Sequence, residues 1–342
     1  MTTQRYAIRR SGLGAARNGA RDNLKIRRKR YGRGFGYLDA SGRRITDADI
    51  IGRLQRLAVP PAYADVVYST DPATPLQAMG RDAAGRWQYR YNAAWERTRE
   101  RRKAKNLAQL IAALPKIRRR VTTVLSTRMP SREFAMASAI ALVDAAGLRA
   151  GTSRHARISG ARGAVSLHKS HVRLAGRSIT LTFPAKGGKL VVKTIHSSLL
   201  ARAIKVLRRL PGRRLFLFQE GDQAKAIRVR DVNAYLCDIA SCKLSLKDFR
   251  TLRASLHVVD ALIRVERASG EQRRKRQLRR AIKSAADDLA NTPAICRKSY
   301  VHEAIVDAFE RDALTAKSRN SGRPQMPARQ ILARVIDQHA AR

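Results

Sequence analysis

Five residues have the side chains and positions to act on a phosphate: Arg149, Lys186, Arg250, Asn291 and Tyr300. Tyr300 closes the stretch NTPAICRKSY (291–300), directly after Arg297 and Lys298. A phenol has a free pKa of about 10. It becomes a useful nucleophile when fixed positive charge stabilises the phenolate and the phosphorane formed in the transition state. Taken alone, the stretch reads equally well as an amphipathic core tyrosine preceded by a plain Asn291 N-cap. The rest of the set extends the argument. Phosphoryl transfer without metal needs cations to neutralise the phosphate, a nucleophile, and an acid for the leaving oxygen. Arg149 stands in GLRAG between two glycines, Lys186 at the tip of a hairpin FPAKGGK, and Arg250 in LKDFRTLRAS beside Phe249 and Leu252. Each by itself reads as a surface cation. Their order along the chain, Arg, hairpin Lys, Arg, then Asn-x8-Tyr, is hard to obtain by chance.

Other chemistries find little support. The acidic pairs Asp47/Asp49 and Asp287/Asp288 make no Mg²⁺ cluster. His168 and His171 fall in an apparent strand, where alternation sends them to opposite faces, so solvated histidines are expected rather than a zinc pair. GRGFG (32–36) lacks the spacing of a nucleotide loop and reads as turn glycines, and no GxxxxGK[ST] is present. Neither a metal nor a cofactor is expected.

The bulk composition names the partner class. The chain has 342 residues and 71 Lys+Arg against 26 Asp+Glu, a formal charge of +45. With 44% hydrophobic residues it is globular rather than a disordered basic tail. Such an excess of positive charge repels itself unless a polyanion is near, which points to nucleic acid. An anionic membrane surface fits less well, because the basic stretches lack an accompanying Trp/Phe/Leu face. No run approaches the roughly 18 apolar residues of a membrane span, and no signal-peptide core is seen. Cys237, Cys242 and Cys296 are odd in number and form no CxxC. They read as structural thiols of a reducing, cytoplasmic and nucleoid-associated protein.

The elements that must position the five residues follow from periodicity. Residues 1–22 read as a mobile basic arm. Alternation and turn signals over 23–91 predict a β-rich domain: a hairpin over 24–39, a capped helix over 46–58 stopped by Pro60-Pro61, a strand at 62–70, and a second hairpin over 71–91. From 92 to 317 the period is mostly helical. One helix runs over 93–117 with its apolar stripe ending at Pro115, and another over 131–149 starts at a Ser cap. Residues 165–195 alternate as a small antiparallel sheet with Gly187-Gly188 at one tip. Helices follow at 196–210, 228–241, 246–265, 271–290 and 301–314, then a linker over 318–327 and a terminal helix within 318–342. The fold class is α+β.

With these residues in place, the sequence resembles a type IB DNA topoisomerase of the small poxvirus-like bacterial group, over roughly residues 24–315. The pieces that carry the resemblance are GRGFGYLD, AVPPAYADV, GRDAAGRWQYRY, GLRAG, FPAKGGK, DVNAYL, LKDFRT and NTPAICRKSYVH, the last two being the most specific. The resemblance implies a monomer that clamps double-stranded DNA between a β-rich N-terminal domain and a helical catalytic domain. It implies that Tyr300 attacks a phosphodiester and holds a 3′-phosphotyrosyl bond. Arg149 and Arg250 would then hold the non-bridging oxygens, Asn291 would donate one hydrogen bond, and Lys186 would protonate the leaving 5′ oxygen. Supercoils of either sign would relax without ATP. In the N-terminal domain it implies DNA contacts by Gln88, Tyr89 and Tyr91, to which Arg81 and Arg86 add charge. Alternation puts Tyr89 and Tyr91 on one face of a strand.

The chain departs from the family pattern in places. Ala185 replaces the usual Gly before the hairpin Lys, and Gly-Gly follows it, so Lys189 stands as an alternative to Lys186. His155 falls where relatives carry an aromatic. Two other readings share parts of the evidence. A tyrosine recombinase uses similar chemistry but generally carries His three residues before the second Arg, where this chain has Lys247. A non-catalytic basic nucleic-acid-binding protein would explain the charge but not the ordered set.

Overall fold

The computed structural model describes residues 22–314 and 326–340. The basic arm expected up to residue 22 and the linker expected over 318–327 fall almost wholly outside the described residues, as does the side chain of His155. The chain divides into two compact units, one ending at Arg101 and the other beginning at Arg102. Architecture is α+β, as the patterning predicts. No helix among the described residues is long and apolar enough to cross a membrane.

The first unit is built on β1 (Leu24–Tyr31), β2 (Gly34–Leu38), α1 (Ala48–Arg56), β3 (Ala64–Ser69), β4 (Leu76–Arg81) and β5 (Trp87–Tyr91). The strands form one antiparallel sheet in the order β2-β1-β3-β4-β5. Alternation sends Ile26, Tyr37, Val66, Tyr68 and Ala78 to one face, where they bury against Leu54 of α1. Asp47 caps α1 by accepting from the backbone N–H groups of Asp49 and Ile50. Gly32 and Arg33 of GRGFG are the β1–β2 turn, as the composition predicts.

The helix α2 (Ala93–Ser126) does not stop where the sequence suggests; it continues eleven residues beyond Pro115. A proline inside a helix removes one hydrogen bond and costs about 3 kcal/mol. The stripe Leu107, Leu110, Leu114, Ile117, Val121 and Val124 is buried on both sides of it, and burial of several such side chains outweighs that cost at about 1.5–3 kcal/mol each. Next come α3 (Arg132–Ala146), capped by Ser131, and α4 (Ser153–Ser159).

β6 (Val172–Ala175), β7 (Ser178–Pro184) and β8 (Leu190–His196) form the small antiparallel sheet expected there. Gly187 and Gly188 take φ of +83° and +74° at the β7–β8 tip, a backbone that side-chain-bearing residues rarely adopt. The strand expected over 165–174 is mostly absent. Residues Ala164–Ser166 and Lys169–His171 are single 3₁₀ turns. The His168 N–H donates to Nδ1 of His171 at 3.1 Å, and this local bond replaces strand pairing. The two rings are stacked 5.1 Å apart and nearly parallel rather than on opposite faces.

The remaining elements are α5 (Ser198–Arg209), the hairpin β9 (Leu217–Glu220) and β10 (Gln223–Ala226), α6 (Val229–Ala240), α7 (Leu246–Ile263), α8 (Glu271–Asp288), α9 (Pro293–Ser299), α10 (Glu303–Glu310) and α11 (Ala328–Ala340). The β9–β10 hairpin, α4 and the brevity of α9 have no counterpart in the sequence reading. The terminal helix α11 packs on α7 and α10 and buries Ile331, Leu332, Val335 and Ile336 in the core of the second unit. Leu332→Ala should therefore destabilise the protein by about 3 kcal/mol, a loss on the order of 10 °C in thermal midpoint. An unchanged melting curve would show that the helix contributes nothing to that core.

Candidate active site

Four of the five predicted residues meet where two helices end. α3 ends at Gly147, and Arg149 follows in a loop rather than in the helix where the sequence placed it. That loop is fixed by backbone contact with 163–166. Ala164 N–H donates to the Arg149 carbonyl at 2.8 Å and Val165 N–H to the Ala150 carbonyl at 2.8 Å. Gly151 and Gly163 approach so closely that a Cβ on Gly151 would lie 2.5 Å from Gly163 Cα. Only glycine fits at either position, so Gly151 and Gly163 together set the loop that carries Arg149.

α8 ends in a Schellman turn: Asn291 N–H donates to the Ala286 carbonyl at 2.8 Å and Ala290 N–H to the Asp287 carbonyl at 3.0 Å. Ala290 takes the left-handed position at φ +48°, which costs about 1–2 kcal/mol for a residue with a Cβ. Thr292, not Asn291, caps α9, its side chain accepting from Ile295 N–H at 3.3 Å, with Pro293 in the first turn. Asn291 is thus freed from capping and turned inward, 7% exposed. Its Oδ1 accepts from Nη2 of Arg149. A guanidinium offers only donors, so the oxygen must face Arg149 and the amide nitrogen is left pointing elsewhere. That Nδ2 is buried without a partner among the described residues.

Arg250, in the second turn of α7, is 3% exposed. It donates through Nη1 to the Gly147 carbonyl and through Nη2 to the Leu289 carbonyl at 3.1 Å, while its Nε is buried and unpartnered. Its guanidinium lies 4.9 Å from the ring centroid of Tyr300. Burial pulls the Arg250 pKa down, Tyr300 opposes that, and the charge of Arg149 adds to it. Among the described residues neither arginine is paired with a carboxylate.

Tyr300 follows α9 and is buried in the core, with its ring against Arg250. Its N–H donates to the Cys296 carbonyl at 2.9 Å, and its carbonyl accepts from Ser255 of α7 at 3.2 Å. One residue on, the Val301 carbonyl accepts from Lys103 of α2 at 2.9 Å. Next, His302 caps α10, its Nδ1 accepting from Ala304 N–H. Burial drives the His302 pKa down to about 4, so the ring is neutral and serves as an acceptor.

Lys186 is not brought into this cluster. It stands exposed at the tip of the β7–β8 hairpin, with Lys189 equally exposed across the turn. The base of that hairpin, through Phe183, Ala185 and Val191, lines a cleft together with Gly147, Arg149, Leu289 and Ala290.

In the first unit Trp87, Tyr89 and Tyr91 alternate onto one face of β5 as expected, while Gln88 and Arg90 point to the other. Gln88 donates to Asp82 at 2.8 Å, Arg86 pairs with Asp82 at 2.9 Å, and Arg81 pairs with Asp65 at 3.2 Å while lying over Trp87. Among the described residues no group of three His, Cys, Asp or Glu could hold a metal ion.

Sequence reasoning missed a second ring of charge. Lys193 of β8 lies in the cleft and donates to the Ala146 carbonyl at 2.8 Å and to Asp288 at 3.1 Å. Arg253 of α7 grips Asp288 through Nε at 2.6 Å and Nη2 at 3.0 Å, and the Ala145 carbonyl through Nη1 at 2.8 Å. The signal for Lys193 was its parity: in LVVKTIH it shares the inward face with Val191 and Ile195, while Leu190 and Val192 face out. Burial alone would raise the Asp288 carboxyl, but hydrogen bonds from Arg253 and the charges of Lys193 and Arg253 outweigh it and hold it at about 2.

A depressed carboxyl stabilises the fold fully above its unfolded value of 3.8 and loses that contribution as pH falls through the folded value. Asp288→Asn should remove about 2 kcal/mol near neutral pH, on the scale of 1.36 kcal/mol per unit. It should also flatten the fall in stability between about pH 4 and 2. Urea melts across that range test this, and a variant that keeps the wild-type acid limb would remove Asp288 from the account.

Comparison with known proteins identifies the family. The family model "Eukaryotic DNA topoisomerase I, catalytic core" matches residues 92–323, and "Bacterial DNA topoisomerase IB, N-terminal domain" matches residues 34–82. The "DNA topoisomerase 1B" of Acanthamoeba polyphaga mimivirus is 32% identical over 284 residues, covering 81% of this chain and 84% of that protein. With a two-part family match over most of its length and a relative this similar, the chain belongs to the type IB DNA topoisomerases, isomerases whose substrate is DNA.

Proposed function

We propose that this enzyme relaxes positive and negative supercoils by cutting one strand through Tyr300 and resealing it, acting as a monomer without ATP or metal. The phenolic oxygen of Tyr300 attacks the scissile phosphorus. The bond to the 5′ oxygen breaks, and a 3′-phosphotyrosyl ester and a free 5′-hydroxyl result. The ester keeps the energy of the phosphodiester, so the reverse attack reseals the strand with no external energy source. In between, the free end swivels about the intact strand.

The observation that carries this reading is a pair of cationic side chains, Arg149 and Arg250, held by carbonyls instead of carboxylates beside a buried tyrosine. Two buried donors, Arg250 Nε and Asn291 Nδ2, have no partner among the described residues. A buried cation without a counter-charge costs stability, so one that is kept points to a functional use. Non-bridging phosphate oxygens would take these donors, and their attraction grows as charge builds in the pentacoordinate transition state. Lys186 is assigned the proton for the leaving 5′ oxygen, because the hairpin that carries it walls the cleft. Catalytic hydrogen bonds often close only in the complex. Tyr89 and Tyr91, on one face of the N-terminal sheet, contact the duplex, with Gln88, Arg81 and Arg86 at the strand edges adding polar and charged contacts.

The test is incubation with supercoiled plasmid in EDTA without ATP, followed by detergent quench. Wild type should give relaxed topoisomers and a nicked species with protein on its 3′ end. Tyr300→Phe should form neither product yet bind DNA like wild type; a Phe variant that still relaxes the plasmid would end the assignment. Arg250→Ala should slow cleavage by about 10²–10³-fold, the scale seen when one donor to developing charge is lost. A wild-type rate there would strip it of the role.

A further inference from the structure

Beyond the cluster at Tyr300 lies a second concentration of positive charge that no part of the proposed chemistry uses. Arg162 lines the cleft on the hairpin side, and its backbone N–H donates to the Pro184 carbonyl at 2.7 Å, which locks it to the base of the β7–β8 hairpin. Behind it sit the stacked rings of His168 and His171, the latter 6.3 Å from the Phe183 ring. Arg214 closes the group. It bridges to His168 through the backbone, donates through Nη2 to the Val165 carbonyl at 2.9 Å, and keeps a buried Nε with no partner. Lys169 N–H donates to the Arg213 carbonyl at 3.0 Å and Leu215 N–H to the Leu167 carbonyl at 3.0 Å, so the turn that bears the histidines is fixed to the Arg213-Arg214 segment. Among the described residues Arg162, Arg213 and Arg214 make no ion pair.

We propose that Arg162, Arg214 and the stacked His168–His171 pair form a second phosphate subsite, which takes the first internucleotide phosphate of the strand released by cleavage. The inference rests on the phosphotransfer reading for its geometry. In-line displacement puts the attacking and leaving oxygens on opposite sides of phosphorus. Tyr300 adjoins the cleft through Arg250, on the wall formed by Gly147 and Leu289. The leaving 5′ oxygen and the strand it heads point away from Tyr300, and Arg162 lines the same cleft from the base of the hairpin. A phosphate there would satisfy the free Arg214 Nε and meet a donor surface with no carboxylate to repel it. Burial first, and then the charge of Arg162, pushes both imidazoles below their ordinary pKa, with Arg213 and Arg214 adding to the effect at His168. Neutral rings at pH 7 keep the cluster from adding more self-repulsion, and a bound anion would reverse the bias. Holding the released end at a fixed phosphate keeps its 5′-hydroxyl near the phosphotyrosine for resealing.

A duplex with a mapped cleavage site, carrying one uncharged methylphosphonate at successive positions, tests this with the full-length chain. Binding, cleavage and resealing are each measured for wild type, Arg162→Ala and Arg213→Ala. The expected result is that the neutral linkage at the first phosphate of the released strand slows wild-type resealing about tenfold, roughly one charge-assisted contact. Arg162→Ala should show that loss on the ordinary duplex and almost none further on the substituted one. Arg213→Ala, whose side chain is exposed, should give the same pattern more weakly, which keeps the test open if the Arg162 variant folds poorly. The subsite is overturned if wild type is indifferent to the substitution there, or if the mutational and methylphosphonate losses multiply at every position. Failure of wild type to form any covalent adduct would instead remove the phosphotransfer reading, and the binding scan would still judge the subsite.

Discussion

The second unit is organised around cations held by the ends of helices. α3 and α8 both stop with their C-terminal carbonyls facing the same cleft. Arg253 takes the carbonyl of Ala145, Lys193 that of Ala146, Arg250 those of Gly147 and Leu289, and Arg149 that of Ala290. Helix C-termini carry partial negative charge and leave carbonyls without partners. They can therefore fix a guanidinium in direction without cancelling its charge, which a carboxylate would do. The acidic group lining the cleft, Asp288, is occupied by Lys193 and Arg253. Arg149 and Arg250 are left with their charge available to a substrate.

This arrangement explains why so much of the local backbone is committed. The left-handed Ala290 stores a small strain so that Asn291 can turn inward. Thr292 assumes the cap that Asn291 would otherwise provide. The Gly151–Gly163 contact and the strands of bonds from 164 and 165 fix the loop of Arg149. Three helices hold the Tyr300 segment through Ser255, Lys103 and the turn of α9. Donors preset around a dry site need not reorganise when charge develops, which is where most electrostatic catalysis arises.

Legibility from sequence followed the range of the interaction that decides each feature. Alternation and helical period located the N-terminal sheet, the β6–β8 sheet and nearly every long helix, because each buries one face along its own length. Residue chemistry located Arg149, Arg250, Asn291 and Tyr300, but not that they meet at the ends of α3 and α8. Features set by distant partners were lost. Pro115 was read as a stop because the burial that carries α2 past it comes from other helices. The His168–His171 turn was read as strand because a side-chain bond to its own backbone decides it. The role of Asp288 leaves no local signal, because both its partners, 95 and 35 residues away, lie on other elements.

The excess charge of the chain is spent in two different ways. Cations such as Arg81 and Arg86 are exposed and lie against Asp65 and Asp82. Pairs of that kind are worth no more than about 1 kcal/mol in water and are screened by salt. Such pairs can be exchanged for another anion at little loss. Arg250 is the opposite case. It is enclosed, directed by two carbonyls and shielded from water, so its attraction to a phosphate is neither diluted by solvent nor shared with a competing carboxylate. Net charge accounts for the first kind of contact and is indifferent to position; the second kind depends on two helices ending at the same place.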